Sequence, residues 1–189
     1  GFLRTYILIA AISMLEVITV VVDRTPPEYR LVNLLTNYLG FGLTPAVPLC
    51  LVHILDKRGK ALRIRKAAAL IWIGYAVFLA ASLPFGSVFG VTADNVYFRG
   101  GHFHVYVMAF SAGIIYLAVA TAASAIFYQN RSKILIYPLM GFLILGMLVQ
   151  LAFPKIHTTW LCVTLIGVLY YIYCNEMWNQ LDGLTGLLN

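Results

Sequence analysis

Apolar residues run through this chain in long unbroken stretches, and polar residues gather in the short connections between them. The strict alternation that a transmembrane β-barrel needs is absent from those stretches. A bilayer core takes about 20 consecutive apolar residues in a helix, which predicts six spans at roughly 3 to 22, 31 to 55, 64 to 84, 103 to 128, 133 to 153 and 157 to 179. The expected fold class is all-α, a polytopic membrane helix bundle of about six transmembrane helices. Residues 1-174 form the bundle, and 175-189 a cytoplasmic exit helix with a short Gly-punctuated end. The first stretch is too long for the core of a cleaved signal peptide and counts as a span. Because Gly1 opens the sequence in place of Met, the chain reads as an excised or processed piece.

Charge orients the bundle. Between the second and third spans, "DKRGKALRIRK" carries Lys57, Arg58, Lys60, Arg63, Arg65 and Lys66; between the fourth and fifth, "YQNRSK" carries Arg131 and Lys133. The other connections hold only Arg24, Arg30, Arg99 and Lys155 as cations, partly offset by Asp23, Glu28 and Asp94. The positive-inside rule therefore places the first two connections in the cytoplasm, and an even span count puts both termini there. Arg4, ahead of the first span, agrees.

Composition leaves this picture unchanged: 61% of the 189 residues are hydrophobic and 11% charged, at a mean hydropathy of +0.87. A soluble domain could not bury that much apolar side chain. The net charge of +6 needs no nucleic acid to explain it, since the excess lies in loops facing anionic lipid. Cys50, Cys162 and Cys174 all fall inside predicted spans and read as small buried apolar residues.

Polar residues inside the spans are the first candidates for function, because ionisable groups there are costly and face a bundle interior or a cavity. Glu16 is the one acid well inside a span. Lying about 12 residues beyond Arg4, it belongs in the outer half of the bilayer. Asn33 and Asn37, four apart on one helix face, are expected at the same level. Two roles compete for the three: bundle glue, or the lining of an outward-opening ligand cavity. "TPAVP" puts Pro45 and Pro48 near the middle of the second span, where loss of a backbone donor predicts a kink, either a hinge or static. Pro138 in the fifth span invites the same question.

The connection "SVFGVTADNVYFRGGHFHVY" is too long for a simple turn. Its "VYF", between "DN" and "GG", predicts a short hairpin or lid bearing Tyr97, Arg99, His102 and His104. His102 and His104 share a face only on a strand; with His157 they could bind zinc, but no fourth ligand is evident, so no metal is assigned. Contact with a small organic ligand and a plain solvated loop are the other readings. "ATAASA", residues 120 to 125, offers a close-packing face within the bundle or between two copies.

The ending carries the most specific signal. "DGLTGLLN" resembles the opening of GGDEF-type diguanylate cyclase domains, which begin Asp, any residue, Leu-Thr-Gly-Leu, any residue, Asn; Asp182, Leu184, Thr185, Gly186, Leu187 and Asn189 match. The resemblance implies that Asp182 and Thr185 form the turn joining an incoming helix to a catalytic domain and that Asn189 approaches the guanine of GTP. It covers these eight residues alone, the first turn of a truncated GGDEF domain, and the GGDEF signature with its metal-binding acids is not among them. The chain itself is thus expected to have no catalytic activity; GTP and Mg would belong to the parent protein's cyclase. "NYLGFGLTPAVPL" and "ADNVYFRGG" also resemble multi-helix sensor regions ahead of bacterial diguanylate cyclases and histidine kinases, often seven-helix, which would mean a first helix lost before Gly1.

Together these resemblances imply a multi-pass receptor segment in a bacterial inner (plasma) membrane. It would take an extracellular small-molecule signal and be a homodimer in the parent protein. A small transporter or channel, a histidine kinase-like sensor, and a membrane enzyme using the histidines are the alternatives.

Overall fold

The computed structural model of the chain describes residues 2–55, 62–127, 141–142, 144–146, 148–149, 152 and 159–179. Most of the basic connection, Pro138, His157 and the "DGLTGLLN" motif lie outside the described residues. Described elements run α1 (Phe2–Val22), a 3-10 turn (Pro27–Tyr29), α2 (Arg30–Leu43), α3 (Ala46–Leu55), α4 (Leu62–Ser82), a 3-10 turn (Leu83–Phe85), β1 (Phe89–Val91), β2 (Tyr97–Arg99), α5 (Phe103–Phe127) and α6 (Thr159–Asn179). Residues 141–142, 144–146, 148–149 and 152, inside the fifth predicted span, are helical.

Four helical stretches among the described residues are long and apolar enough to cross a membrane: Phe2–Val22, Pro27–Ile54, Lys66–Phe85 and Phe103–Ser124. α6 adds a shorter apolar stretch, Val163–Asn175. α1 shows how such a helix is used. Thr5, Ile9 and Ile12 are buried at helical spacing, while Leu3, Ile7, Met14, Val17 and Val21 on the other faces are exposed, Met14 to 70%. An apolar surface of this extent is a liability in water and an ordinary one against lipid tails.

Two apolar cores divide the interior. At the hairpin end, Tyr75, Leu79, Val88 and Phe89 pack with Leu34, Tyr38 and Phe41 of α2. At the opposite end, Ile9 and Ile12 pack with Val47, Leu51 and Val52 of α3, Phe110, Ile114 and Leu117 of α5, and Val163 and Tyr170 of α6. A void of about 10 Å³ lies in this second core between Pro48, Phe110 and Val163. It holds at most one water-sized sphere.

The boundary between the cores is the break in the second span, where the predicted kink is a full interruption: α2 stops at Leu43 and α3 restarts at Ala46. Pro45 has no N–H to give the Phe41 carbonyl. Tyr75 Oη of α4 donates to it instead at 3.1 Å. The Gly42 carbonyl accepts from Trp72 Nε1 at 2.9 Å. Gly40 O takes Thr44 N at 3.1 Å and Thr44 Oγ1 at 2.6 Å, and Thr44 O, which Pro48 cannot serve, takes Val47 N at 3.2 Å. α5 closes on the same place at Gly113, where an added Cβ would stand 3.1 Å from Pro48 Cγ. Backbone freed by proline is tolerated at membrane depth only when repartnered in this way.

Candidate functional site at the hairpin end

β1 and β2 form the antiparallel hairpin expected from "VYF", with Phe89 opposite Arg99, Gly90 opposite Phe98 and Val91 opposite Tyr97. Its turn closes through Asn95 N to Thr92 O at 3.1 Å and Thr92 N to Val96 O at 2.9 Å. Asn95 sits at φ +57°, a left-handed conformation that asparagine tolerates better than most residues. Its side chain is fully buried. Nδ2 donates to Val22 O at 2.8 Å, Thr25 O at 3.1 Å and Thr25 Oγ1 at 3.1 Å, while Oδ1 accepts from Asn33 Nδ2 at 2.9 Å. Asn95 O accepts from Arg24 N at 2.9 Å. The hairpin is thereby pinned to the end of α1 and the start of α2.

A second tie passes through Asp23, whose Oδ1 accepts from Tyr97 N at 2.7 Å and stands 3.4 Å from Asn33 Nδ2. Arg30 Nε adds a bond to Val91 O at 3.2 Å. The Asp23–Arg24 ion pair is 3.7 Å long with an exposed arginine, so it contributes little.

The sequence-predicted residues fall into three places. Asn33 and Asn37 are buried inside the network just described: Asn37 Nδ2 donates to Asn33 Oδ1 at 2.8 Å and to Asn33 O at 2.9 Å. Along the bundle axis Glu16 lies about 3 Å from the level of Asn37 but farther from that of Asn33. α1 and α2 are indexed by Thr19 Oγ1 on Thr36 Oγ1 at 3.1 Å; Glu16 is three residues below that contact and Asn33 three above, an axial offset of about 9 Å. Glu16 is within electrostatic range of Tyr106 on α5, itself within hydrogen-bonding reach of Thr44 at the helix break. The third place is the far end of the hairpin. There Arg99 reaches Tyr97 and lies over the Phe103 ring at 4.7 Å. His102 and His104 are exposed with ring centroids 5.8 Å apart.

The strand ends at Arg99, His102 occupies a turn and His104 the first turn of α5. The extended pair that a zinc site would require is not formed. Among the described residues no three His, Cys, Asp or Glu side chains gather as metal ligands. Sequence reasoning passed over Trp72 and Tyr75, the donors at the break, and gave Asp23 no role beyond its charge. Phe41 also went unnoticed. Its ring meets Tyr106 at 4.7 Å, Phe89 at 5.1 Å and Phe103 at 5.6 Å, welding α2, the hairpin and α5 together.

Burial pushes the Tyr97 phenol from 10.0 up to about 12; Arg99 opposes the rise and Asp23 adds to it. The folded value lies above the unfolded one, so the folded state holds the proton more tightly. That contribution is intact below pH 10 and is lost as pH climbs toward 12. Tyr97→Phe is expected to flatten the fall in melting temperature across this window relative to the unaltered chain; equal slopes would contradict it.

At the opposite end, α6 is fastened at two adjacent turns. Tyr6 Oη of α1 donates to Gly167 O at 2.8 Å, and an added Cβ at Gly167 would stand 3.2 Å from the Tyr6 ring. Thr121 Oγ1 donates to Leu117 O at 2.7 Å, so Tyr170 Oη is the donor in its 3.1 Å bond with Thr121. Comparison with protein-family models, curated proteins and solved structures found no match.

Proposed function

We propose that this chain is the membrane receptor segment of a bacterial diguanylate cyclase. An extracellular small molecule shifts the bundle between two packings, and α6 carries the shift to a catalytic domain that converts two GTP to cyclic di-GMP. One observation carries this reading: α6 is unbroken from Thr159 to Asn179, bonded to α1 and α5 on the way, and its last described residue stands three positions before Asp182 of the cyclase-like motif. The ligand must bind the two packings with different affinity, since equal affinity shifts nothing. GTP and Mg belong to the catalytic domain, and two such domains must meet, which makes the parent protein a homodimer.

Glu16, half-buried on α1 and within electrostatic range of Tyr106 on α5, is the proposed ligand contact at depth; Tyr97, Arg99, His102 and His104 form the mouth. Glu16→Gln preserves shape and replaces the carboxyl with an amide. It is expected to leave the melting temperature of the free bundle within a few degrees while weakening the thermal stabilisation by a ligand found in a shift screen. A ligand whose stabilisation is untouched by Glu16→Gln places the site elsewhere. The broken second span favours one second reading, a small transporter, because transporters use interrupted helices at their binding sites. Solute flux through proteoliposomes holding this chain alone would promote that reading.

A further inference from the structure

We propose that the Thr44–Pro45 break is a latched joint, held shut from α4 by the side chains of Trp72 and Tyr75. The break leaves two consecutive carbonyls, Phe41 O and Gly42 O, and both are taken by side-chain donors from one neighbouring helix, at 3.1 and 2.9 Å. Trp72 and Tyr75 are three apart and so lie on one face of α4, one turn from each other. Pro45 lacks the donor that an intact helix would aim at Phe41 O, so that carbonyl needs a donor from elsewhere.

A separate observation makes the place a joint and not a mere irregularity. Leu34, Tyr38 and Phe41 before the break pack into the hairpin-end core, with Trp72, Tyr75 and Tyr106 of α5; Leu43 at the break and Val47, Leu51 and Val52 after it pack into the opposite core, with α6 and the following turns of α5. The two halves of the second span pack mainly into different cores, and α5 lines both without a break. Relative motion of the two halves concentrates at residues 43 to 46, and the latch bonds are the ones such motion must break. An opened joint would leave two carbonyls at membrane depth, so it opens only when water or another donor enters. The latch stands apart from the receptor reading and is tested without any cyclase.

Hydrogen–deuterium exchange of the chain in lipid nanodiscs tests it, read on peptides covering residues 40 to 50 and, as a reference, the hairpin. Trp72→Phe with Tyr75→Phe keeps both positions aromatic and removes both donors. Exchange over 40 to 50 is expected to rise roughly tenfold with the hairpin unchanged, about the effect of losing one or two net hydrogen bonds. Unchanged exchange at the break, or an equal rise throughout the bundle, overturns the latch. Pro45→Ala supplies a second arm, because it restores a backbone donor to Phe41 O. In that background Tyr75→Phe is expected to have little further effect on exchange; an undiminished effect overturns the assignment of Tyr75 as the substitute donor.

Discussion

Asn95→Ala is expected to cost about 2–4 kcal/mol at the hairpin end, a large fraction of the stability of a small domain. Three sources add. The Val22 and Thr25 carbonyls lose a buried donor, the Asn33 amide loses its acceptor at 2.9 Å, and alanine is forced into φ +57°, a conformation costing roughly 1 kcal/mol. Asn95→Gly separates them. Glycine accepts the backbone angle and still lacks the amide, so it is expected to recover only the smaller part. Thermal unfolding in lipid nanodiscs, with exchange read at residues 89–99, gives the comparison. Full recovery by glycine would mean that the side-chain bonds contribute nothing and that the hairpin is held by its aromatic packing alone.

This clamp bears on how a signal could enter. The hairpin is bonded through Asn95, Asp23 and Asn33 to both helices. Displacing it moves the end of α1 and the start of α2 with it. Under the receptor proposal, input at the hairpin and input at Glu16 would both act on α1 and α2 above the Thr44–Pro45 break.

Helix positions, the hairpin and the interruption at Pro45 were legible in the sequence, for a local reason in each case. Apolar run length sets the spans, "DN" before "VYF" sets the turn, and a proline without an N–H must break the ladder wherever it stands. The partners were not legible. That Tyr75 and Trp72 would serve the Phe41 and Gly42 carbonyls depends on which helix lies beside the break, and nothing in a run of apolar residues encodes its neighbour. Depth counted from Arg4 put Glu16 near Asn37 and did not resolve its larger offset from Asn33. The Thr19–Thr36 contact fixes the register of α1 on α2 and puts Glu16 level with Leu39, between Asn37 and the break. Asn33 and Asn37 were rightly singled out as a pair on one face, but their amides bond to each other and to Asn95, a residue 62 positions from Asn33.

The largest functional effect is expected at the exit of α6. If the helix transmits by its rotation and position, inserting one residue between Asn175 and Leu181 turns everything downstream by about 100° and moves it about 1.5 Å. Two catalytic domains that must face each other would be misaligned. A seven-residue insertion adds about two turns and returns the phase to within roughly 20°. It serves as the control for simple lengthening, since it moves the domain farther from the membrane without rotating it much. Tyr6 and Tyr170, which fix α6 to α1 and α5, keep the upstream part of the helix in place in both insertions, so the change is confined to the output.

The direct measurement is cyclic di-GMP production by the parent protein, with its native downstream sequence, in cells carrying each insertion. A helix-coupled receptor predicts that one residue changes output by about tenfold and abolishes its regulation, within the range of ordinary coupling energies, while seven residues restore both in large part. Unchanged output and unchanged regulation after the one-residue insertion would contradict it.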